Sequence, residues 1–485
     1  MKQTIESRIF YHIYPLGMCG SPRRNDFRQA AGTAFRQLHN WLPQLSDLGT
    51  NALYIGPLLE SSAHGYDTVD YYHVDRRLGT NQDFGAFVQA CHERGIAVVL
   101  DAVLNHVGRD FFAFKDLQVR GEASAYRDWF CALDFSTPNP CGDSFSYEGW
   151  AGHLDLVKLN TSSPAVKEHL FGAVRTWLQD FGVDGLRLDA ADVLDPAFRS
   201  DLAVFCRSVK PDCWLLGEVV HGNYTEWANP QQLDSVTNYE AYKGLWSSLN
   251  DGNFFEMAWT LRRQFGAEGL YRQTLLYNFA DNHDVNRVAS VLQRPDQLPL
   301  LYTMLYTMPG IPSIYYGSEF GLCGQRTQWS DAELRPAIQL DLQSDQEQNS
   351  EPELLQRFAR RYEQTVAVLP PALCPQTTPE AAQELALYLR TLADLRKALP
   401  ALQCGRYQEI LVQHRQLVYA RVLAGQQVLV ALNSADEAAT VLLPEAWIGS
   451  WQEPLSATKS AIHLPETGLV LPANCAYILV RTTGQ

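Results

Sequence analysis

The sequence contains no apolar run clean enough to cross a membrane. Its longest uncharged stretch, LPLLYTMLYTMPGIPSIYY (298–316), is broken by Pro299, Pro309, Gly310 and Pro312. Proline removes a helical hydrogen bond and clashes with the preceding turn, so a buried helix followed by a strand is expected there. Positive charge is also short. Against 54 Asp and Glu stand 39 Lys and Arg, a net charge of −15, which makes nucleic acid or an anionic membrane a poor partner and suits a neutral one. Ten cysteines are present, but none with CxxC spacing and too sparsely for a disulfide scaffold, so most are read as buried thiols. The opening MKQTIESRIFYHIYP has no apolar core of a secretory signal, and the expected location is cytoplasmic. Periodic repeats, a basic tail and long low-complexity tracts are absent. What remains, 485 residues of which 46% are hydrophobic and 19% charged, can bury an extensive core in two or three domains.

Short apolar runs alternate with longer amphipathic segments up to about residue 400, the pattern of a parallel sheet or barrel. The candidate strands are IFYHIYP, NALYIGP, IAVVLDAV, GLRLDA, WLLGEVV, SVTNY, LLYNFADNHD and SIYYGSEF. Beyond that point the runs QLVYARVLA, QVLVALN and AYILVRT are β-branched and alternating, which predicts an antiparallel β-sandwich. The segment between the third strand and the helix starting near Ser163 is far longer than an ordinary βα loop and should form an inserted domain over one face of the barrel. The predicted division is barrel 1–106, inserted domain 107–162, barrel 163–402 and β-sandwich 403–485. The stretch 343–380, rich in Gln, Glu and Pro, has no evident role.

Chemistry concentrates in four places, DAVLNHVG (101–108), GLRLDAADV (185–193), GEVV (217–220) and FADNHD (279–284), each ending a strand-like run in acidic or imidazole side chains. A (β/α)8 barrel gathers the C-terminal ends of its strands onto one face, so these groups should converge. Asp189, Glu218 and Asp284 form the informative trio. Cleaving a glycosidic bond with retention needs one carboxylate as nucleophile and one carboxylic acid as proton donor. Arg187 and Asp189, two apart on a strand, project to the same side, where the guanidinium would keep the carboxylate ionised. Glu218 follows the dry run WLLG, and desolvation together with the charge of Asp189 should raise its pKa, as a general acid requires.

In these motifs, and in HGYDTVDYYHVD (64–75), LDLVKLN (154–160) and GIPSIYYGSEFG (310–321), the chain resembles the alpha-amylase family of retaining glycoside hydrolases along nearly its whole length. That resemblance implies a TIM barrel with a small inserted domain after the third strand and a C-terminal β-sandwich. It implies Asp189 as nucleophile, Glu218 as acid and base, and Asp284 as the residue that binds sugar hydroxyls and stabilises the transition state. It also implies His64, Tyr66, His106, Arg187 and His283 as substrate-binding residues, with an alpha-glucan oligosaccharide as the partner. AHGYDT and LVKLN are similar to the cyclomaltodextrinase and neopullulanase type. Terminal alpha-glucosidases usually carry an acidic residue three positions before the Tyr, where this chain has Ala63.

Three departures bear on that likeness. The N-terminal β-domain of cyclomaltodextrinases has no room before the first strand, so monomer and homodimer both stay open. Val220 stands where those enzymes often have a Trp, and Asp192 and Val193 replace the amylase Lys-His pair. Asn105 matches a family calcium ligand, but CGSPRRND after the first strand is too cationic for a hard divalent ion, so no cofactor is expected and Asn105 is left as the sole calcium candidate. The function expected is hydrolysis of alpha-1,4-glucosidic bonds in maltooligosaccharides or cyclic maltodextrins. A transglycosylase or an alpha-1,6-preferring hydrolase is the enzymatic alternative, and a non-catalytic glucan-binding protein the alternative of another class. Trp150 and Lys158 are expected to line the open side of the site.

Overall fold

The computed structural model describes residues 4–338, 340, 350–454, 461–465 and 468–482. The eight expected strands form one parallel sheet: β1 (Phe10–Ile13), β2 (Ala52–Ile55), β3 (Ala97–Ala102), β4 (Gly185–Leu188), β5 (Trp214–Gly217), β6 (Ser235–Val236), β7 (Tyr277–Phe279) and β8 (Ile311–Tyr315). Its order is β6-β5-β4-β3-β2-β1-β8-β7, and a parallel bridge from Thr237 to Tyr277 joins the two ends. The fold is thus a TIM barrel followed by a C-terminal antiparallel β-domain.

Side-chain alternation explains both faces of the sheet. Leu53, Ile55, Val98, Leu100, Leu186, Leu188 and Leu215 point outward into the core shared with the helices. Phe10, Ala52, Tyr54, Val99, Trp214, Leu216, Tyr277, Phe279 and Ile311 point inward and pack against one another. Successive strand residues face opposite sides, so the inward set continues two residues at a time toward the strand C-termini. There it turns polar: Phe10 gives way to His12, Val99 to Asp101, Leu216 to Glu218, and Gly185 to Arg187 and then Asp189. The barrel has an apolar floor and a charged mouth.

Two excursions build over that mouth. After β2, Leu59–Ser61 pairs antiparallel with Thr68–Val74 and carries His64 and Tyr66 in the connection. After β3, His106–Gly108 pairs with His153–Lys158, which pairs with Gly149–Trp150, and the helix Phe112–Arg120 packs alongside. Arg109 holds this insert together by donating to both carboxylate oxygens of Asp143, at 2.6 and 2.9 Å.

The apolar run at 298–316 resolves into the helix Leu298–Thr307 and strand β8. The stretch 343–380 is largely helical where it is described: Glu351–Ala367 is a helix, and Pro379 opens another that runs to Ala398. Arg357 and Arg361 of the first donate to Asp47 at 2.8 and 2.6 Å, fastening it to the helix Ala34–Asp47. Residues 341–349 lie outside the described residues.

C-terminal strands β9 (Arg406–Val412), β10 (Gln416–Leu423), β11 (Gln426–Asn433), β12 (Gly449–Gln452), β13 (Ala461–Leu464) and β14 (Cys475–Thr482) form an antiparallel sheet in the order β9-β10-β11-β14-β12-β13, and Ala439–Val441 pairs separately with Leu469–Leu471. One face of the sheet packs Val418, Ala420, Leu429 and Leu479 under Trp447 and Trp451. The other face sends Leu417, Tyr419, Val430 and Ile478 into the barrel core. The cysteines do not follow the expectation of mostly buried thiols. Cys91, Cys206, Cys213 and Cys323 are buried, Cys19, Cys131, Cys374 and Cys475 are half-buried, and Cys141 and Cys404 are exposed. Sparse, scattered thiols carried no periodic signal from which to place them. No helix of the described residues is long and apolar enough to cross a membrane.

Candidate active site

A cavity of about 560 Å³ opens at the charged mouth, lined by His64, Tyr66, His106, Asp189, Glu218 and Asp284 among others. A larger one, about 810 Å³, lies at the opposite end of the barrel against Phe10, Val99 and Trp214. The apolar floor separates it from the carboxylates, so the chemistry belongs to the smaller cavity.

Arg187 is the hub. It is buried, in register opposite Asp101 and Leu216 on the neighbouring strands. Its Nη1 donates to Asp101 Oδ1 at 2.8 Å and to Asp189 Oδ1 at 2.9 Å, and its Nη2 lies 2.8 Å from Glu218 Oε2. Its guanidinium also sits 5.7 Å from the ring centre of Tyr54. Directly after Asp189, Ala190 takes a left-handed backbone (φ 45°), a conformation an L-residue holds only where its surroundings enforce it. That turn points the Ala190 N–H at Glu218 Oε2, 3.4 Å away. Gly217 lets β5 approach this closely, since a Cβ there would stand 2.5 Å from Leu233 and 3.0 Å from Ala191.

One cation divided among three carboxylates cannot neutralise them. Burial pushes Asp189 well above the usual carboxylate range; Arg187 opposes this, while Glu218, Asp101 and Asp284 add to it. Glu218 is raised by burial, again opposed by Arg187 and reinforced by Asp284. The rise at Glu218 has the expected direction and the expected cause in burial, but the negative charges that add to it are those of Asp284 and Asp101 rather than Asp189. Arg187 favours the ionised form of Asp189, as expected, but it is shared with Asp101 and Glu218, and burial opposes it. A proton retained here belongs to the pair.

Asp284 lies on the other wall. Its Oδ2 is 2.9 Å from His283 Nε2 and its Oδ1 is 3.0 Å from Arg335 Nη2. Burial would raise its pKa, but these two partners outweigh it and hold Asp284 far below the usual range. The trio therefore divides into one fixed anion and a pair that competes for a proton, the separation expected of an acid and a nucleophile working side by side.

The sequence-predicted binding residues take distinct positions. Tyr66 stands at the cavity edge, its ring stacked on His283 with centroids 5.6 Å apart and its hydroxyl donating to Asp101 Oδ2 at 3.1 Å. His64 lines the cavity, and Asp67 braces the turn between them by accepting from the His64 N–H at 3.0 Å. His106 presents an unpartnered Nε2 4.0 Å from Asp189. His283 gives its Nε2 to Asp284 and Tyr66 and does not itself line the cavity; like Arg187, it lies behind the surface and positions the groups in front. Trp150 lines the inserted-domain wall with His153, their rings stacked. Lys158 does not, being turned to Glu148 at 2.5 Å. Asn105 is buried against the His106 ring at 3.3 Å, and among the described residues no cluster of three His, Cys, Asp or Glu could hold a metal.

Several residues of the site escaped the sequence reading. Asp101, Tyr54 and His12 share the inward parity of the strands, and Tyr54 donates to Asp101 at 2.6 Å while His12 stacks on Tyr54. Continuing the alternation past Val99, Ala52 and Phe10 would have found them. Tyr239, whose hydroxyl reaches Glu218 Oε1 at 3.3 Å, and Arg335 arrive from a helix start and a loop that carry no such signal.

Burial, with His64 adding, brings His106 down to about 4, below the ordinary value of about 6.5. As pH falls the unfolded chain takes the proton first. The His106 contribution to stability is therefore whole above about pH 6.5 and shrinks toward pH 4. A His106→Gln variant should lose less melting temperature than wild type between pH 7 and pH 4.5 in calorimetric melts; parallel losses would refute the buried neutral imidazole.

Comparison with known proteins agrees with this geometry. A family model described as "Alpha amylase, catalytic domain" matches residues 35–356. The chain is 32% identical to neopullulanase 2 of Thermoactinomyces vulgaris over 453 residues, 90% of this chain and 68% of that one. It is 29% identical to the cyclomaltodextrinase of Geobacillus thermopakistaniensis over 449 residues, 89% of this chain and 68% of that one. Among solved structures, the Nostoc punctiforme debranching enzyme superposes with a TM-score of 0.74 at 25% identity, over 99% of this chain and 100% of that one. The chain belongs to the alpha-amylase family and is a glycoside hydrolase.

Proposed function

We propose that this family member hydrolyses alpha-1,4-glucosidic bonds in maltooligosaccharides or cyclic maltodextrins with retention of anomeric configuration. The observation that carries the mechanism is the single guanidinium of Arg187 bridging Asp189 and Glu218. Two carboxyl groups held on adjacent nitrogens of one guanidinium are drawn together, which supports the spacing of about 5 Å of a retaining pair over the wider one that admits an inverting water. Glu218 protonates the leaving oxygen as Asp189 attacks the anomeric carbon, forming a glucosyl ester. Glu218 then takes a proton from water, which displaces Asp189. Asp284, His106 and Tyr66 face the glucosyl unit in the cavity.

The relatives' names support the substrate class, and the residues support an open site. Ala63 offers a methyl group where a terminal clamp would need a carboxylate, and its carbonyl is occupied by Arg77 Nη1 at 2.6 Å. Chromatography of early products from maltotriose, maltohexaose, a cyclodextrin, pullulan and isomaltose tests the proposal. Maltose and short maltooligosaccharides should dominate, the cyclodextrin should be accepted, and EDTA should leave the rate unchanged. Glucose released singly with the cyclodextrin refused would point to a terminal alpha-glucosidase, and preferential attack on isomaltose to the alpha-1,6 alternative. Calcium-reversible loss of activity in EDTA would return Asn105 to the role of metal ligand.

A further inference from the structure

Trp329 is 87% exposed, more than any other large hydrophobic side chain among the described residues. Single exposed apolar residues are common and by themselves mean little. The loop that presents this one is unusual, because it is fastened to the catalytic wall at both ends and braced at its tip. Before Trp329, the Arg326 N–H donates to Asn286 Oδ1 at 2.8 Å, tying the loop to the segment that carries Asp284. After it, Asp331 lies 2.8 Å from Arg335, which reaches Asp284 at 3.0 Å and donates to the His283 carbonyl at 3.1 Å. At the tip, Thr327 Oγ1 accepts from the Trp329 N–H at 3.3 Å, and the Thr327 N–H donates to the Ser330 carbonyl at 2.9 Å.

Arg326 and Asp331 both line the cavity, so the turn between them, which carries Trp329, adjoins it, although Trp329 itself is not part of the lining. This wall is formed by the loop after β8, and the inserted domain with Trp150 forms a separate one. A pyranose ring has an apolar C–H face and polar edges, the shape an exposed indole beside Arg and Asp side chains can receive: the ring stacks while the hydroxyls find hydrogen bonds.

We propose that Trp329 is a stacking platform for a glucosyl unit outside the cavity, on the Arg335 side, and that it favours longer or cyclic chains over short ones. The proposal rests on the alpha-glucan reading above. It gives the exposed indole a task that neither folding nor bond cleavage supplies. Because the turn is held by its own hydrogen bonds, little ordering cost remains for the ligand to meet on binding.

Steady-state kinetics of wild type, Trp329→Ala and Trp329→Phe on maltotriose, maltohexaose and a cyclodextrin, with sedimentation velocity of each protein, test it. The Ala variant should raise KM for maltohexaose and the cyclodextrin by about two- to tenfold, leave kcat and the maltotriose constants unchanged, and be largely restored by Phe. A KM ratio between long and short substrates equal to that of wild type would overturn the proposal. So would a variant that changes only the sedimentation coefficient, which would make the indole a contact between copies of the chain. A wild type that turns over none of the three would overturn the substrate class and this proposal with it, whereas an active wild type with an unchanged ratio would overturn this proposal alone.

Discussion

Glu218→Gln should lower turnover of maltohexaose by about 10²–10⁴-fold while the protein melts as wild type does. The amide keeps the shape of the carboxyl group: its oxygen can still accept from Arg187 Nη2, 2.8 Å from Glu218 Oε2, and its NH2 can donate to the Tyr239 hydroxyl oxygen, 3.3 Å from Oε1. What disappears is the transferable proton. A glucoside with a strongly acidic phenol as leaving group departs without protonation, so its first, ester-forming step should survive in this variant. Asp189→Asn should be inactive on both substrates, because the nucleophile itself is gone. Asp284→Asn should lose turnover on both while keeping the fold, since its charge faces the same sugar. Burst kinetics on the activated glucoside separate the three. Wild-type rates on maltohexaose from Glu218→Gln would remove it as the acid, and an active Asp189→Asn would end the covalent mechanism.

Arg187→Met should destabilise the protein by about 3–5 kcal/mol near neutral pH, the usual consequence of stripping the counter-ion from buried charges. Asp101, Asp189 and Glu218 would then share the barrel mouth without the cation now within 2.9 Å of each. The direction of the pH dependence follows from the carboxylates. With Arg187 gone the already raised pKa values of Asp189 and Glu218 rise further, so the folded variant binds more protons than the unfolded chain, and acidification relieves the repulsion. The loss should be larger at pH 8 than at pH 5. Arg187→Lys restores the charge but not the fork that spans three partners, and should recover stability more than activity. Denaturant melts of the three proteins at both pH values decide the matter. A methionine variant as stable as wild type at pH 8 would mean that the cluster holds its protons without Arg187.

The trio was legible because each member terminates an apolar run, and in a parallel barrel all such ends face one way. Val99 and Leu216, each two residues before an inward carboxylate, show how the period of two carries the pattern from floor to mouth. The same period held Asp101, Tyr54 and His12, overlooked because an acid, a phenol and an imidazole inside apolar runs look like isolated polar residues until neighbouring strands are aligned. Register supplies that alignment, pairing Asp101 with Arg187, and a sequence read one strand at a time does not contain it.

The amino-acid order alone determined the barrel, its C-terminal β-domain and the acidic mouth, because hydrophobic periodicity and strand-end chemistry are local properties, and its motifs carried the resemblance to the family. Tertiary structure decided how the charges are shared. Arg187 and Asp189 are two apart in sequence and suggested a guanidinium that keeps the carboxylate ionised; the fold divides that guanidinium among Asp101 on β3, Asp189 after β4 and Glu218 after β5, and sets burial against it at Asp189. It also decided that Arg335, about fifty positions from Asp284 in the chain, would hold that carboxylate ionised from a loop with no strand pattern of its own. Electrostatic energies depend on distance and burial in the folded state, and neither is written in sequence spacing.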